Sequence, residues 1–128
     1  MRAILDTSVL IANPDSLAGI ATDISAISLA ELHFGVLKVA DSEERKRRNA
    51  RLKYIQAHFV ALPLDAPVGK VLGQLQAAVL QRGGNPRRRT ADLVIAATAV
   101  VHEAVLLTNN YKDFKLIEDL VEVREPPA

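Results

Sequence analysis

No cysteine occurs in the 128 residues, so neither a disulfide framework nor a thiolate metal site is available to the chain. Tryptophan is absent as well. The aromatic set is Phe34, Tyr54, Phe59, Tyr111 and Phe114, too sparse for the stacking platforms that hold single-stranded nucleic acid by its bases. The longest apolar stretch, LVIAATAVV, is about half of the roughly 20 residues that a membrane span needs. The opening MRAIL reads as a strand and not as the apolar core of a secretion signal. With six glycines, six prolines and no repeat or low-complexity tract, nothing marks a linker. The expectation is one domain over residues 1–128, cytoplasmic and without a membrane partner. A chain of this length buries about two-thirds of its unfolded surface, and a hydrophobic fraction of 49% is globular.

The net charge of +1 conceals an uneven distribution. Arg45, Lys46, Arg47, Arg48, Arg51 and Lys53 form one basic cluster, and Arg82, Arg87, Arg88 and Arg89 form another. Such clusters suit a phosphate-rich partner, because each neutralised phosphate releases condensed counterions. The first also reads as the solvated face of a helix, with Glu43 and Glu44 at ion-pairing distance in sequence from Arg47 and Arg48. The second lies in a Gly/Pro loop, GGNPRRRT, beside Asp92, and there the phosphate reading is the stronger.

Short apolar segments alternate with helical patterns. Residues 2–5, 24–27, 59–64, 104–108 and 120–123 read as strands. Helices are expected from an N-cap at Ser28 to about Val39, over 42–58, over 66–82 ending at Gly83-Gly84, and over 91–103. The last is apolar nearly all round and should be buried. This alternation predicts an α/β fold with a parallel sheet and helices on both faces, and such sheets bind ligands beyond the carboxyl ends of their strands.

Three carboxylates stand where that edge would be. Asp6 ends the first strand, Glu31 follows the second, and Asp92 opens the buried helix; Asp113, after the strand ending at Thr108, is a fourth. Each has an ordinary use. Asp6 suits a helix cap, Glu31 completes a capping box with Ser28 in SLAE, and Asp92 complements a helix dipole, each worth about 1 kcal/mol. Together they point elsewhere, since clustered carboxylates repel unless a cation neutralises them. Oxygen-only ligands select a hard ion, Mg2+ or Mn2+. Such an ion beside arginines suggests phosphodiester chemistry. His33, His58 and His102 have no context that makes them ligands or bases. A receiver-like phosphotransferase using Asp6 as nucleophile fits less well, because no second acid stands two positions after it.

The segments ILDTSVLIA, ISLAELHFGV, RRRTADLVIAATAV and LLTNNYKDF follow one another in the order seen in PIN-domain ribonucleases. Over essentially its whole length the chain resembles the VapC-type toxins of bacterial toxin–antitoxin pairs. The resemblance implies a three-layer α/β/α fold with a five-stranded parallel sheet, and Mg2+- or Mn2+-dependent endoribonuclease activity. Asp6, Glu31 and Asp92 match the family's catalytic, metal-binding acids. Ser8 and Thr108 match hydroxyl residues that support those acids, with Thr7 and Asn110 beside them. One departure stands out. Where many PIN domains carry an acid soon after the fourth strand, this chain reads Thr108-Asn109-Asn110, so Asp113 is the expected substitute, Asn110 offers at most a carbonyl oxygen, and a second metal position is expected to fill only when RNA supplies its phosphate. The resemblance further implies a homodimer and a cognate VapB-type antitoxin, with Arg87, Arg88 and Arg89 serving RNA and an acidic antitoxin tail alike. The uncharged Asn110 favours one alternative, a catalytically degenerate PIN-like module that binds RNA or protein.

Overall fold

Strand β1 (Arg2–Leu5) is central because three of its four residues are buried apolar side chains with no room for solvent on either face. The computed structural model describes residues 1–12, 17 and 19–127. Around β1 the chain adds α1 (Thr7–Ala12), β2 (Ala21–Ser25), α2 (Ala26–Leu37), α3 (Ser42–His58), β3 (Ala61–Leu62), α4 (Ala66–Gln81), α5 (Thr90–Val101), β4 (Val105–Leu107) and β5 (Val123–Arg124). Two 3-10 segments, Pro86–Arg89 and Tyr111–Ile117, precede α5 and follow β4.

Every strand pairing is parallel, and the order in the five-stranded sheet is β3-β2-β1-β4-β5. Alternation along the strands sends side chains to two cores. Ile4 and Leu106 join Val68, Leu75 and Leu93 on the α4/α5 side, while Ala3, Leu5, Val105 and Leu107 join Leu10, Leu32, Leu52 and Ile55 on the other. The predicted three-layer α/β/α architecture is therefore the observed one. Helix α5 is buried from Leu93 through Ala99, as its all-round apolar sequence predicts.

The chain runs outward from β1 through β2 to β3, then returns to place β4 on the other side of β1. The β1/β4 boundary is thus the topological switch point, where helices leave in opposite directions and a crevice opens beyond the strand ends. Asp6 follows β1 at this edge and Thr108 follows β4.

Several boundaries differ from the sequence-based expectation. The second strand is Ala21–Ser25, not 24–27, and the helix after it starts three residues earlier than predicted. Ser25 is its N-cap, accepting from the Ile27 amide at 3.2 Å. Ser28 lies inside the helix, fully buried, so the capping box with Glu31 does not form and Glu31 sits in the second turn. The third strand shrinks from 59–64 to Ala61–Leu62, because Phe59 still caps α3. The fifth moves from 120–123 to Val123–Arg124: Val121 packs into the core from the preceding turn.

Candidate active site

The anchor of the site is the Asp6 carboxylate, 5% exposed and held from three directions. Its Oδ1 accepts from the Thr7 amide at 2.8 Å, and its Oδ2 accepts from Ser8 Oγ at 2.9 Å and Thr108 Oγ1 at 2.7 Å. The reason lies in the sheet. Leu5 and Leu107 are register partners, and the Asp6 amide donates to the Leu107 carbonyl at 2.9 Å, so the residues just past both strands are neighbours. Thr108 Oγ1 in turn accepts from the Asn110 amide at 2.9 Å, and Ser8 Oγ from the Asn109 amide at 3.1 Å. These bonds lock the turn after β4 onto the turn after β1. Asp6 is a strand-end residue whose side chain is fixed, and not a helix cap reaching the second or third amide of α1. A carboxylate offers about four lone-pair directions. Both on Oδ2 are used and one on Oδ1, which leaves one Oδ1 direction free among the described residues.

Thr108 is fully buried. Thr108→Val therefore removes a donor from Asp6 and an acceptor from the Asn110 amide within a closed space. The expected cost is about 2 kcal/mol of stability, measured as a lower urea midpoint at unchanged slope.

Glu31 arrives from α2. Thr7 Oγ1 donates to Glu31 Oε1 at 2.7 Å and lies 3.1 Å from Ser28 Oγ. The buried Ser28, read as a cap in the sequence, is in fact the floor under Thr7. Asp92 comes from the first turn of α5, half-buried. Its carboxyl is pushed up from 3.8 to about 6, first by burial and then by the charges of Asp6, Asp113 and Glu31, with Arg89 opposing. All four predicted acids therefore act on one region, and Asp92 experiences the other three.

Arg89 is the counter-ion. The turn that carries it is built by Gly83, at a φ of +86°, and by Gly84, where a Cβ would stand 2.7 Å from Leu116 Cδ1. Asn85 then accepts from the Arg87 amide at 3.1 Å and starts the 3-10 segment. Arg89 Nη1 emerges 3.1 Å from Asp113 Oδ1 and 3.8 Å from Asp92 Oδ2. Arg87 and Arg88 are exposed and stay in solvent. The sequence presents the three arginines as one outward group; the structure separates Arg89 from the other two. Asn110 is exposed, with its backbone and not its side chain tied to Thr108.

Among the described residues, no three acids or histidines close around one point as a finished cation cage. The donor set nevertheless suits a hard cation: carboxylates and hydroxyls only, a free direction on Asp6 among the described residues, and an Asp92 whose ionised form is disfavoured by burial and by three neighbouring acids. The histidines take no part. His58 stacks on Tyr54 with ring centroids 4.0 Å apart, His33 faces Gln56, and His102 caps α5.

The chain is similar to several known proteins. Ribonuclease VapC2 of Rickettsia felis is 34% identical over 101 residues, covering 77% of this chain and 69% of that protein. Ribonuclease VapC4 of Mycobacterium tuberculosis is 33% identical over 125 residues, 93% of each chain. Among solved structures, a member of the VapBC family of toxin-antitoxin systems from Mycobacterium tuberculosis, VapBC-5, superposes with a TM-score of 0.82 at 30% identity, covering 99% of this chain and 98% of that one. A PIN domain family description matches residues 3–120, from the first strand to the turn before the last, and by that span the chain belongs to the PIN domain family.

Proposed function

We propose that the chain is a metal-dependent endoribonuclease toxin, a single PIN domain over residues 1–128 that cleaves RNA phosphodiester bonds and is inhibited by a cognate VapB-type antitoxin. One observation carries the reading. Asp6, Glu31 and Asp113 lie near enough to Asp92, at the switch-point edge of a parallel sheet, for their charges to add to burial in raising it to about 6. Its relatives are ribonucleases and a toxin–antitoxin member at 30% identity or more over most of the chain.

In this reading Asp6, Glu31 and Asp92 hold Mg2+ or Mn2+, and Asp113 completes the set in place of the acid missing at Asn110. When bound, the ion polarises the phosphate and lowers the pKa of an attacking water. The chain's own residues do the rest. Ser8, Thr108 and the Thr7 amide fix Asp6 and leave one Oδ1 direction unused among the described residues. Thr7 orients Glu31. Arg89 holds Asp113 and shields part of the acid charge, and its guanidinium would be available to a phosphate once those acids are neutralised. Arg87 and Arg88 receive backbone phosphates, or the acidic tail of the antitoxin. The homodimer belongs to the same proposal. Among the described residues no helix is long and apolar enough to cross a membrane.

Metal should stabilise the fold, because it binds the native acids and not the unfolded chain. At a hundredfold excess over its dissociation constant, Mn2+ should raise Tm by on the order of 8 °C at pH 8. The rise should shrink at pH 5, where a proton occupies Asp92 and competes with the ion. RNA cleavage should require the ion and stop on chelation. Asn110 and the Arg89–Asp113 pair favour a second reading, a module that binds RNA or protein without cutting it. No thermal shift and no cleavage is the result that selects it.

A further inference from the structure

We infer that the groove between α1, α2 and α3 is a phosphate subsite for the RNA strand, with Arg51 and Lys38 as its cations, an inference that rests on the nuclease reading. The starting point is the basic cluster on α3, three of whose six cations pair with acids on the same helix. Glu44 takes Arg47 at 2.6 Å and Arg48 at 3.0 Å, and those guanidinium groups hold its carboxyl below the usual range. Arg48 also donates to the Gly35 carbonyl at 2.9 Å, and Lys46 lies 3.7 Å from Glu43. The helix-face reading thus accounts for these residues. Among the described residues it leaves Arg45, Arg51 and Lys53 without an acid partner, and of these only Arg51 lines the groove.

Arg51 Nε is buried and has no hydrogen-bond partner among the described residues. A guanidinium keeps its charge at any working pH, and a buried N–H without an acceptor costs about 1–3 kcal/mol. The group lines a cavity of about 460 Å3 together with Thr7, Glu31, Leu32, Lys38, Arg48 and Glu44, whose charge Arg47 and Arg48 offset. That volume falls in the range of small-molecule sites, roughly 300–1,000 Å3. Lys38 forms no ion pair among the described residues; its ammonium stands 5.5 Å over the Phe34 ring.

The cavity runs from the acids to these cations. Thr7 and Glu31 belong to both, so an RNA strand with one phosphodiester at the acids leads its neighbouring phosphate into the groove. There the guanidinium fork matches phosphate oxygens, and Leu32 offers an apolar wall to the sugar. An acidic peptide would use the same cations. Continuity with the acid site favours the strand that has to pass through it.

The test uses the full chain with Asp92→Asn to prevent cleavage, and a labelled 20-residue single-stranded oligoribonucleotide followed by fluorescence anisotropy. Arg51→Gln and Lys38→Gln should each weaken binding about 3- to 10-fold and reduce the slope of log K against log salt by about 0.7, one phosphate contact. Arg51→Lys should keep most of that slope. With Asp92 restored, Arg51→Gln should raise KM by a similar factor and leave kcat unchanged. Unchanged RNA affinity and slope in a folded Arg51→Gln overturn the subsite. Should that variant misfold, Lys38→Gln decides alone. Weakened binding of a polyglutamate peptide with RNA unaffected also overturns it, and marks a protein-docking groove. Reduced RNA binding in a protein that cuts no RNA with Mn2+ keeps the subsite and removes the nuclease reading. Normal cleavage and binding by Arg51→Gln, with Asp92→Asn inactive, does the reverse.

Discussion

Asp6→Asn is expected to cut RNA at least a thousandfold more slowly than the parent chain, while remaining folded. Oδ1, the carboxylate oxygen with an unused direction, becomes an NH2 in the arrangement that keeps both hydroxyl bonds, and a hard cation takes oxygen donors. The interior cost is smaller, for a specific reason. The carboxylate accepts from Ser8 and Thr108 on Oδ2 and from the Thr7 amide on Oδ1. An amide oxygen placed at Oδ2 keeps both hydroxyls, and its NH2 then opposes the Thr7 amide, one lost bond worth about 1 kcal/mol. Removing a charge that raises Asp92 offsets part of this. The net change in Tm should therefore be a few degrees at most. Asp6→Ala behaves differently, since three donors lose their acceptor around a side chain only 5% exposed. It should lose about 3 kcal/mol or more together with activity. Cleavage rates and urea midpoints for both variants separate the charge of Asp6 from its structural part. Parent-level cleavage by folded Asp6→Asn sinks the metal-site assignment.

Where local chemistry alone decides, the sequence was legible. Helix α3 runs from Ser42 to His58 as predicted, because Asp41 caps it at 3.0 Å from the Glu44 amide and its charges pair at helical spacing. The convergence of Asp6, Glu31 and Asp92 was readable from strand–helix alternation, since one rule of topology places all three at the same edge. What misled was competition between equivalent local signals. Ser25 and Ser28 both suit an N-cap, and Glu31 three residues after Ser28 tips the local pattern to the wrong one. Pairing of Ile24 with Leu5 settles it, because it holds the backbone extended up to Ser25. Arg89 was hidden for a related reason. Its spacing from Asp92 is visible in the sequence, but its tighter partner is Asp113, 24 positions away and brought in by the turn after β4. The second turn of α2 likewise gives no hint that Thr7 will reach Glu31.

Asp92→Asn should abolish cleavage and, at neutral pH without metal, make the protein more stable. In the folded chain the carboxyl titrates near 6, and in the unfolded chain near its ordinary 3.8. Above pH 6 both states are ionised and the native state carries the full penalty of a half-buried charge facing three others. Between 6 and 3.8 the native state binds the proton first, so stability rises as pH falls through this window. Below 3.8 both are protonated and the penalty is gone. A shift of about 2 units corresponds to at most about 3 kcal/mol. With the side chain 30% exposed and Arg89 nearby, about 1–2 kcal/mol is expected after screening. Asn carries no charge at any pH, so its advantage in urea unfolding should be near that figure at pH 8 and should vanish at pH 4. Divalent metal should reverse the order at pH 8, because only the parent gains from binding it. A folded protein that is destabilised by its own acid at neutral pH, and recovers when an ion arrives, is one whose acids are held for the ion. Equal stabilities at both pH values, with no response to Mn2+, leave Asp92 as an ordinary residue in the first turn of a helix.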